Sequence, residues 1–180
     1  MSSPFSNLRD AAPEDAARYI QAVLSLLGDR DSHEVLGETA NRLREVLEVF
    51  DRERLALPEA PGKWSAADVL HHFADSELVW GWRLRMLLTA DRPTLQGYDQ
   101  DTWADRLHTP DDDPARSVEL FRLLREGHLD LIGRATPEDL ARVSVHDERG
   151  EESLEHMVRL YAGHDLVYLR QLRRLLQLDG

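Results

Sequence analysis

The sequence predicts an all-α protein built as a four-helix bundle, with an extra N-terminal helix and a long connection after the second core helix. Four long segments carry apolar residues at helical spacing, and a shorter one precedes them. Strand patterns are almost absent, and no repeat or shift in composition marks a domain boundary. The 180 residues suffice for one domain with a substantial core. We therefore predict a leader at residues 1–12 and a single helical domain at residues 13–180.

The first two helices have clear ends. The extra N-terminal helix begins at Pro13, because a proline suits the first helical turn, and ends at Gly28, where a left-handed cap costs least. The first core helix covers about residues 32–50, and the prolines of residues 58–62 separate it from the next.

The second core helix begins at Ser65, whose hydroxyl can accept a hydrogen bond from the amide of Asp68, and continues to about Thr89. Residues 91–112 hold prolines, a glycine and several aspartates, which predicts a long irregular connection. Connections of this length within a domain are often functional.

The last third of the chain contains two further core helices. The third core helix is predicted at residues 114–133, and the proline-containing stretch 136–139 favours a short helical turn. Residues 142–150 alternate weakly, which indicates either an extended loop or a small hairpin. The final core helix is predicted at residues 152–178.

Charge and cysteine content exclude several classes of protein. The formal net charge is −12, so contact with phosphate backbones or anionic lipid is unfavourable, and we predict no nucleic-acid or membrane partner. The chain shows no signal peptide and no apolar run of the ~18 residues that a membrane span needs, which predicts a cytoplasmic protein. With no cysteine, disulfides, thiolate metal sites and a cysteine nucleophile are excluded.

Two histidines are the strongest candidates for chemistry. On helical wheels His72 lies at the border of the apolar face of the second core helix, and His164 at the border of the last one, with Tyr168 one turn further. Neutral imidazoles on facing helices bind zinc, nickel, iron or copper, which suggests a metal site. The alternative is a pair of structural histidines, because two imidazoles are fewer than the three protein ligands usual for catalytic zinc.

The other histidines receive different predictions. His71 and His156 are expected to face water, whereas His128 is predicted to be a buried, hydrogen-bonded structural residue. His108 and His146 fall in predicted loops, which can reach a ligand at the mouth of a bundle.

Residues 63–77, with the sequence KWSAADVLHHFADSE, resemble the second-core-helix motif of the DinB/YfiT-like metalloenzyme family. In that motif a metal-binding histidine follows a tryptophan by eight residues, and counting from Trp64 gives His72. The resemblance covers about residues 32–178, which would be the core of a DinB-like bundle.

Residues 161–172, with the sequence YAGHDLVYLRQL, resemble the final-helix motif of the same family. There a Gly-His pair is followed four residues later by a second histidine. His164 matches the first histidine, and Tyr168 stands at the position of the second.

The resemblance implies a function as well as a fold. Members of the family include thiol-dependent S-transferases, a mycothiol-dependent isomerase and proteins described as metal-dependent hydrolases. The resemblance implies that His72, His164 and Tyr168 form the metal site for a divalent zinc, nickel or iron ion. It also implies that the partner is a small-molecule substrate. A low-molecular-weight thiol would come from outside, because the chain has no cysteine. We also expect a homodimer.

Tyr168 departs from the family pattern, and this leaves alternatives open. A phenol is a poor ligand near neutral pH because it titrates at about 10. The ion could be held by His72, His164 and water, another side chain such as Asp75 could substitute, or the site could be empty. The alternative function is therefore a catalytically inactive bundle with a degenerate metal site, which binds a ligand or forms a homodimeric interaction module.

Overall fold

The computed structural model describes residues 13–178, so the predicted leader lies outside the described residues. The described residues form eight helices and three short strands. In chain order these elements are α1 (Pro13–Leu27), α2 (Ser32–Val49), α3 (Arg52–Leu55), α4 (Ala66–Thr89), β1 (Thr94–Leu95), α5 (Gln100–Leu107), α6 (Pro114–Gly133), α7 (Pro137–Leu140), β2 (Val143–His146), β3 (Gly150–Ser153) and α8 (Leu154–Leu176).

The four long helices α2, α4, α6 and α8 form the bundle, which confirms the predicted fold class. Around the bundle α4 contacts α6, α6 contacts α2, α2 contacts α8, and α8 contacts α4. The extra helix α1 packs outside this ring, against α8. No helix within residues 13–178 is long and apolar enough to cross a membrane.

The ends of the helices follow the predicted local chemistry. Ser65 and Asp68 form a reciprocal capping box, in which the Ser65 hydroxyl accepts from the Asp68 amide and the Asp68 carboxylate accepts from the Ser65 amide. Gly28 takes a left-handed conformation with φ of +60° directly after α1. The last helix begins at Leu154 rather than at residue 152, because Ser153 caps it and residue 152 belongs to β3.

The connection over residues 91–112 is more regular than predicted. It contains β1 and the eight-residue helix α5, whose N-cap Asp99 accepts from the amide of Thr102. No residue of α5 is buried, and its large apolar residues are Trp103 and Leu107, which are too few over eight residues to predict a helix. β1 pairs in parallel with β2, and β2 pairs antiparallel with β3, which confirms a hairpin near residues 142–150.

Buried apolar side chains form two clusters along the bundle. Tyr168 belongs to the cluster around Phe73 and Phe121, and Tyr161 belongs to the cluster around Trp80. The turn of α8 between these two tyrosines therefore lies where the clusters meet, and it carries His164.

We predict that Gly163→Ala destabilises the packing of α1 on α8. A Cβ at Gly163 would lie 2.6 Å from the backbone oxygen of Val23, which cannot move without shifting α1. We expect the free energy of unfolding in urea to fall by about 1–3 kcal/mol. The control is Gly37→Ala on α2, where a Cβ meets nothing within 4 Å. Because alanine favours a helix, this control should gain up to about 1 kcal/mol, and equal losses in both variants would contradict the prediction.

Candidate metal centre

His72 of α4 and His164 of α8 face each other where these two neighbouring helices pack together. Their Nε2 atoms lie 3.3 Å apart, and their ring centroids lie 5.3 Å apart. His72 is buried, whereas His164 is half-buried. The structure thus brings together the two histidines that the sequence singled out.

The surroundings of both imidazoles keep them neutral. Burial, and then the proximity of His164, lowers the pKa of His72 well below its usual value. Burial, and then the Arg125 guanidinium, lowers the pKa of His164 to about 3. Neutral imidazoles are the form that binds metal ions, since the ring nitrogen must offer its lone pair.

Tyr168 packs its ring against both histidines but directs its hydroxyl elsewhere. The Tyr168 ring centroid lies 4.3 Å from that of His72 and 4.6 Å from that of His164. The hydroxyl donates a hydrogen bond to Oε1 of Gln100 at 3.0 Å. Burial raises the pKa of Tyr168 far above its usual value, so the phenol keeps its proton. The assignment of Tyr168 as a metal ligand stays a prediction.

A pocket of about 830 Å³ opens beside Tyr168. Trp64 and Gln100 line it, and the Trp64 ring centroid lies 5.1 Å from that of His72. Charged side chains of both signs complete its wall: Lys63, Arg170 and Arg174 against Glu59, Asp68, Asp101 and Asp105. The pocket therefore leads from solvent to the aromatic wall of the histidine pair.

The prediction that His71 faces water is wrong. His71 is 3% exposed, and its Nδ1 lies 2.8 Å from Oγ of Ser117 on α6. His108, from the end of α5, stacks on the His71 ring with centroids 4.4 Å apart. Because α4 packs against α6 on one side and α8 on the other, it buries a second face that a wheel drawn for one apolar stripe misses.

Asp75, the residue considered as a substitute ligand, is engaged outside the histidine pair. Its Oδ2 lies 2.8 Å from Nε2 of His108. The sequence places His108 in a loop that can reach a ligand, whereas in the structure it stacks on His71 and contacts Asp75. This contact holds the connection against α4. Asp75 is therefore not directed at His72 and His164, the two imidazoles that face each other at the candidate site.

Comparison with known proteins identifies the family of this chain. The model of the DinB superfamily matches residues 36–172. The chain belongs to the DinB superfamily.

Curated relatives of this DinB-superfamily chain carry related names. "Putative metal-dependent hydrolase OB0413" from Oceanobacillus iheyensis is 32% identical over 148 residues, covering 79% of this chain and 84% of that protein. "Putative metal-dependent hydrolase YfiT" from Bacillus subtilis is 27% identical over 143 residues, covering 79% of this chain and 80% of the relative.

A solved structure shares the fold. The structure of YfiT from Bacillus subtilis, described as an unusual four-helix bundle, matches with a TM-score of 0.70 and 25% identity, covering 91% of this chain and 88% of YfiT. The four-helix bundle fold is therefore shared with this relative.

The core of this DinB-superfamily chain also holds a buried ionic network. The Arg125 guanidinium donates to the carboxylates of Glu77 and Asp165 and to the backbone oxygen of Leu36. Nδ1 of His128 lies 2.7 Å from Oε1 of Glu77, which confirms His128 as a buried, hydrogen-bonded residue. Sequence reasoning missed the network, because isolated charges on long helices give no signal of which partners they meet.

A second group of metal-ligand side chains follows β2. Ligand atoms of His146, Asp147 and Glu148 lie within 4.8 Å of one another. Two of these residues already accept backbone hydrogen bonds, His146 Nδ1 from the Glu148 amide and Asp147 Oδ1 from the Gly97 amide. Burial, and then Arg149, lowers the pKa of His146 to about 2. We assign this group to stabilising the hairpin and its contact with the connection.

Proposed function

We propose that this chain is a metal-dependent hydrolase in which His72 and His164 bind a divalent ion. The observation that carries the proposal is the 3.3 Å separation of the two Nε2 atoms. In a tetrahedral site with metal–nitrogen bonds of about 2.0–2.1 Å, two ligand nitrogens lie about 3.3–3.4 Å apart. The same separation is longer than a usual hydrogen bond.

The state of both rings also fits a metal. The rings are neutral, and Nδ1 of His164 is buried without a hydrogen-bond partner among residues 13–178. A proton on Nδ1 leaves the Nε2 lone pair of His164 facing Nε2 of His72, where one ion would contact both nitrogens. The donor set of two imidazoles leaves open positions, which catalytic sites require.

The chain's own residues would prepare this site for hydrolysis. A divalent ion there would supply Lewis acidity and lower the pKa of a bound water. Trp64 and Tyr168 form an apolar wall beside the imidazoles and limit access of bulk water. Gln100 accepts a hydrogen bond from the Tyr168 hydroxyl, and both residues line the pocket that a small-molecule substrate would occupy. A thiol-dependent transfer would use the same pocket with an external thiol, and stays a prediction.

A second candidate function has one observation in its favour. The Tyr168 hydroxyl is engaged by Gln100, so two protein nitrogens rather than three ligands converge. A site of two imidazoles binds metal more weakly than one with three protein ligands, which favours a ligand-binding or homodimeric bundle without catalysis. The exposed face of α8 carries three arginines, Arg170, Arg173 and Arg174, which could contact a second copy of the chain. The homodimer stays a prediction.

We expect untagged protein to contain near-stoichiometric zinc, nickel or iron by elemental analysis, and His72→Ala and His164→Ala to lose it. The matched control is His156→Ala, which removes a half-buried histidine from the same helix as His164. This control should keep the metal. Wild-type protein that takes up none of these ions after dialysis, or a His72→Ala variant that retains them, would overturn the metal site and favour the second candidate.

A further inference from the structure

Two arginines are buried in the core of the described residues, and they differ in whether a carboxylate pairs with them. Arg125 is 2% exposed and is paired with the carboxylates of Glu77 and Asp165. Arg83 on α4 is 5% exposed, and it forms no ion pair with any carboxylate of residues 13–178. Burying a guanidinium without a counter-ion costs several kcal/mol. Arg83 thus carries a positive charge that the described chain leaves uncompensated.

The hydrogen bonds of Arg83 leave part of its donor set unused. Nη1 donates to the Tyr161 hydroxyl at 3.2 Å, and Nη2 donates to the backbone oxygen of Gln96. Nε is buried and finds no acceptor among the described residues. Buried donors are nearly always satisfied in native proteins, so an unpaired donor on a buried cation calls for an external acceptor.

Tyr161 adds a second available donor. Its hydroxyl accepts from Arg83, and no described residue accepts its proton. Burial raises the pKa of Tyr161, so the phenol remains a donor. Tyr161 is 7% exposed and lies three residues before His164, with ring centroids 5.9 Å apart.

His146 places a third unpaired donor in the same region. Its Nδ1 accepts from the Glu148 amide, so its proton is on Nε2, which is buried without an acceptor among the described residues. His146 is opposite Leu95 in the sheet, next to the Gln96 oxygen that Arg83 contacts. Arg83, Tyr161 and His146 thus each offer a buried donor that no carboxylate of the described residues accepts, and such donors can receive an oxyanion.

We propose that Arg83 and Tyr161 form an oxyanion-binding subsite one helical turn from His164, which takes the carboxylate or phosphate group of a small molecule. That this molecule is the substrate rests on the proposed function; oxyanion binding itself does not. In that case the subsite selects anionic substrates. It also places the substrate bond that is hydrolysed, which lies next to the acidic group, at His72 and His164. The guanidinium supplies the charge, and the phenol supplies a directed hydrogen bond.

The test is an NMR titration of the Arg83 side chain in 15N-labelled, metal-free full-length protein. The Nε–H signal of Arg83 is identified by its absence from the spectrum of Arg83→Gln. Acetate and inorganic phosphate are titrated separately at constant ionic strength, with chloride as the control anion. We expect a saturable shift of this signal with acetate or phosphate. The anion that binds more tightly identifies the acidic group as a carboxylate or a phosphate. No saturation with either anion, or the same shift with chloride, would overturn the subsite.

Two variants show whether the effect belongs to this pair. Tyr161→Phe keeps the ring and should weaken binding about tenfold or more, because a hydrogen bond to a charged group is lost. It also keeps the Arg83 signal, so the test survives if Arg83→Gln fails to fold, with the signal then assigned by triple-resonance experiments. The matched control is Arg85→Gln, which removes an exposed charge from the same helix and should leave binding unchanged. Equal weakening in Arg85→Gln, or none in Tyr161→Phe, would contradict the proposal.

A further variant separates this subsite from the proposed metal centre. His72→Ala removes one proposed ion ligand and leaves Arg83 and Tyr161 in place. Anion binding that persists in His72→Ala supports the subsite, whether or not wild-type protein binds metal. Anion binding that is absent in metal-free wild type and appears only with added zinc would assign the anion to the ion and overturn the subsite.

Discussion

Arg125→Met is expected to lower the free energy of unfolding by about 3–5 kcal/mol, or to prevent folding, because it leaves two buried carboxylates without their cation. Glu77 and Asp165 are 1% and 2% exposed, so water cannot replace the guanidinium. Burial raises the pKa of Asp165 even with Arg125 in contact, which shows how costly its charge is in this environment. Chemical denaturation followed by circular dichroism measures the loss.

The control for this prediction is Arg122→Met, one turn earlier on α6. Arg122 pairs with Glu119 and Glu126 at the surface, so its loss should cost at most about 1 kcal/mol. Adding Glu77→Gln and Asp165→Asn to Arg125→Met should restore part of the stability, since the buried charges are then removed together. A loss in Arg125→Met no greater than in Arg122→Met would show that the network contributes little.

Tyr168→His is expected to raise the affinity for zinc by at least about tenfold, because it adds a third protein nitrogen, and changes to the residues around a metal alter its affinity by such factors. The Tyr168 ring already packs against the rings of His72 and His164, so an imidazole there lies next to both. Residues 164 and 168 are one helical turn apart and can present two nitrogens to one ion. Competition with a chromophoric chelator measures the affinity.

Two control variants test whether a gain in zinc affinity in Tyr168→His comes from the new imidazole nitrogen. Tyr168→Phe removes the hydroxyl but adds no nitrogen, so it should show no gain in zinc affinity. The double variant Tyr168→His with His72→Ala should lose the gain, since the new imidazole then has one partner fewer. An unchanged affinity in Tyr168→His itself would show that the surrounding residues no longer support an ion, as expected for a ligand-binding bundle.

Most of the helical architecture could be predicted from local sequence. The capping box at Ser65, the glycine after α1 and the proline at the start of α6 each act within one helical turn, so their effect is independent of the rest of the chain. The helix α5, by contrast, could not be predicted from local sequence. It begins in a stretch rich in turn formers and spans only eight residues, which is shorter than the window of about 11–18 residues that a periodic pattern needs.

The candidate site was predictable in part. The wheel positions of His72 and His164, together with the family motifs, selected the two histidines that the structure brings within 3.3 Å. The contact of His71 with Ser117 and His108 depends on how α6 and the connection pack on α4, which no periodicity in α4 encodes. The direction of the Tyr168 hydroxyl likewise depends on Gln100, 68 positions away in the chain.

Local sequence is enough to predict that this protein is a helical bundle, where its long helices begin and end, and which two histidines could meet. These properties depend on short-range preferences and on the 3.6-residue period of each helix. Which buried charges are compensated, by contrast, depends on how the helices pack. Arg125 and Arg83 are both arginines on core helices, yet one meets two carboxylates and the other none. The difference arises because side chains distant in sequence share a buried space from which water is excluded, and their partners are set by helix packing.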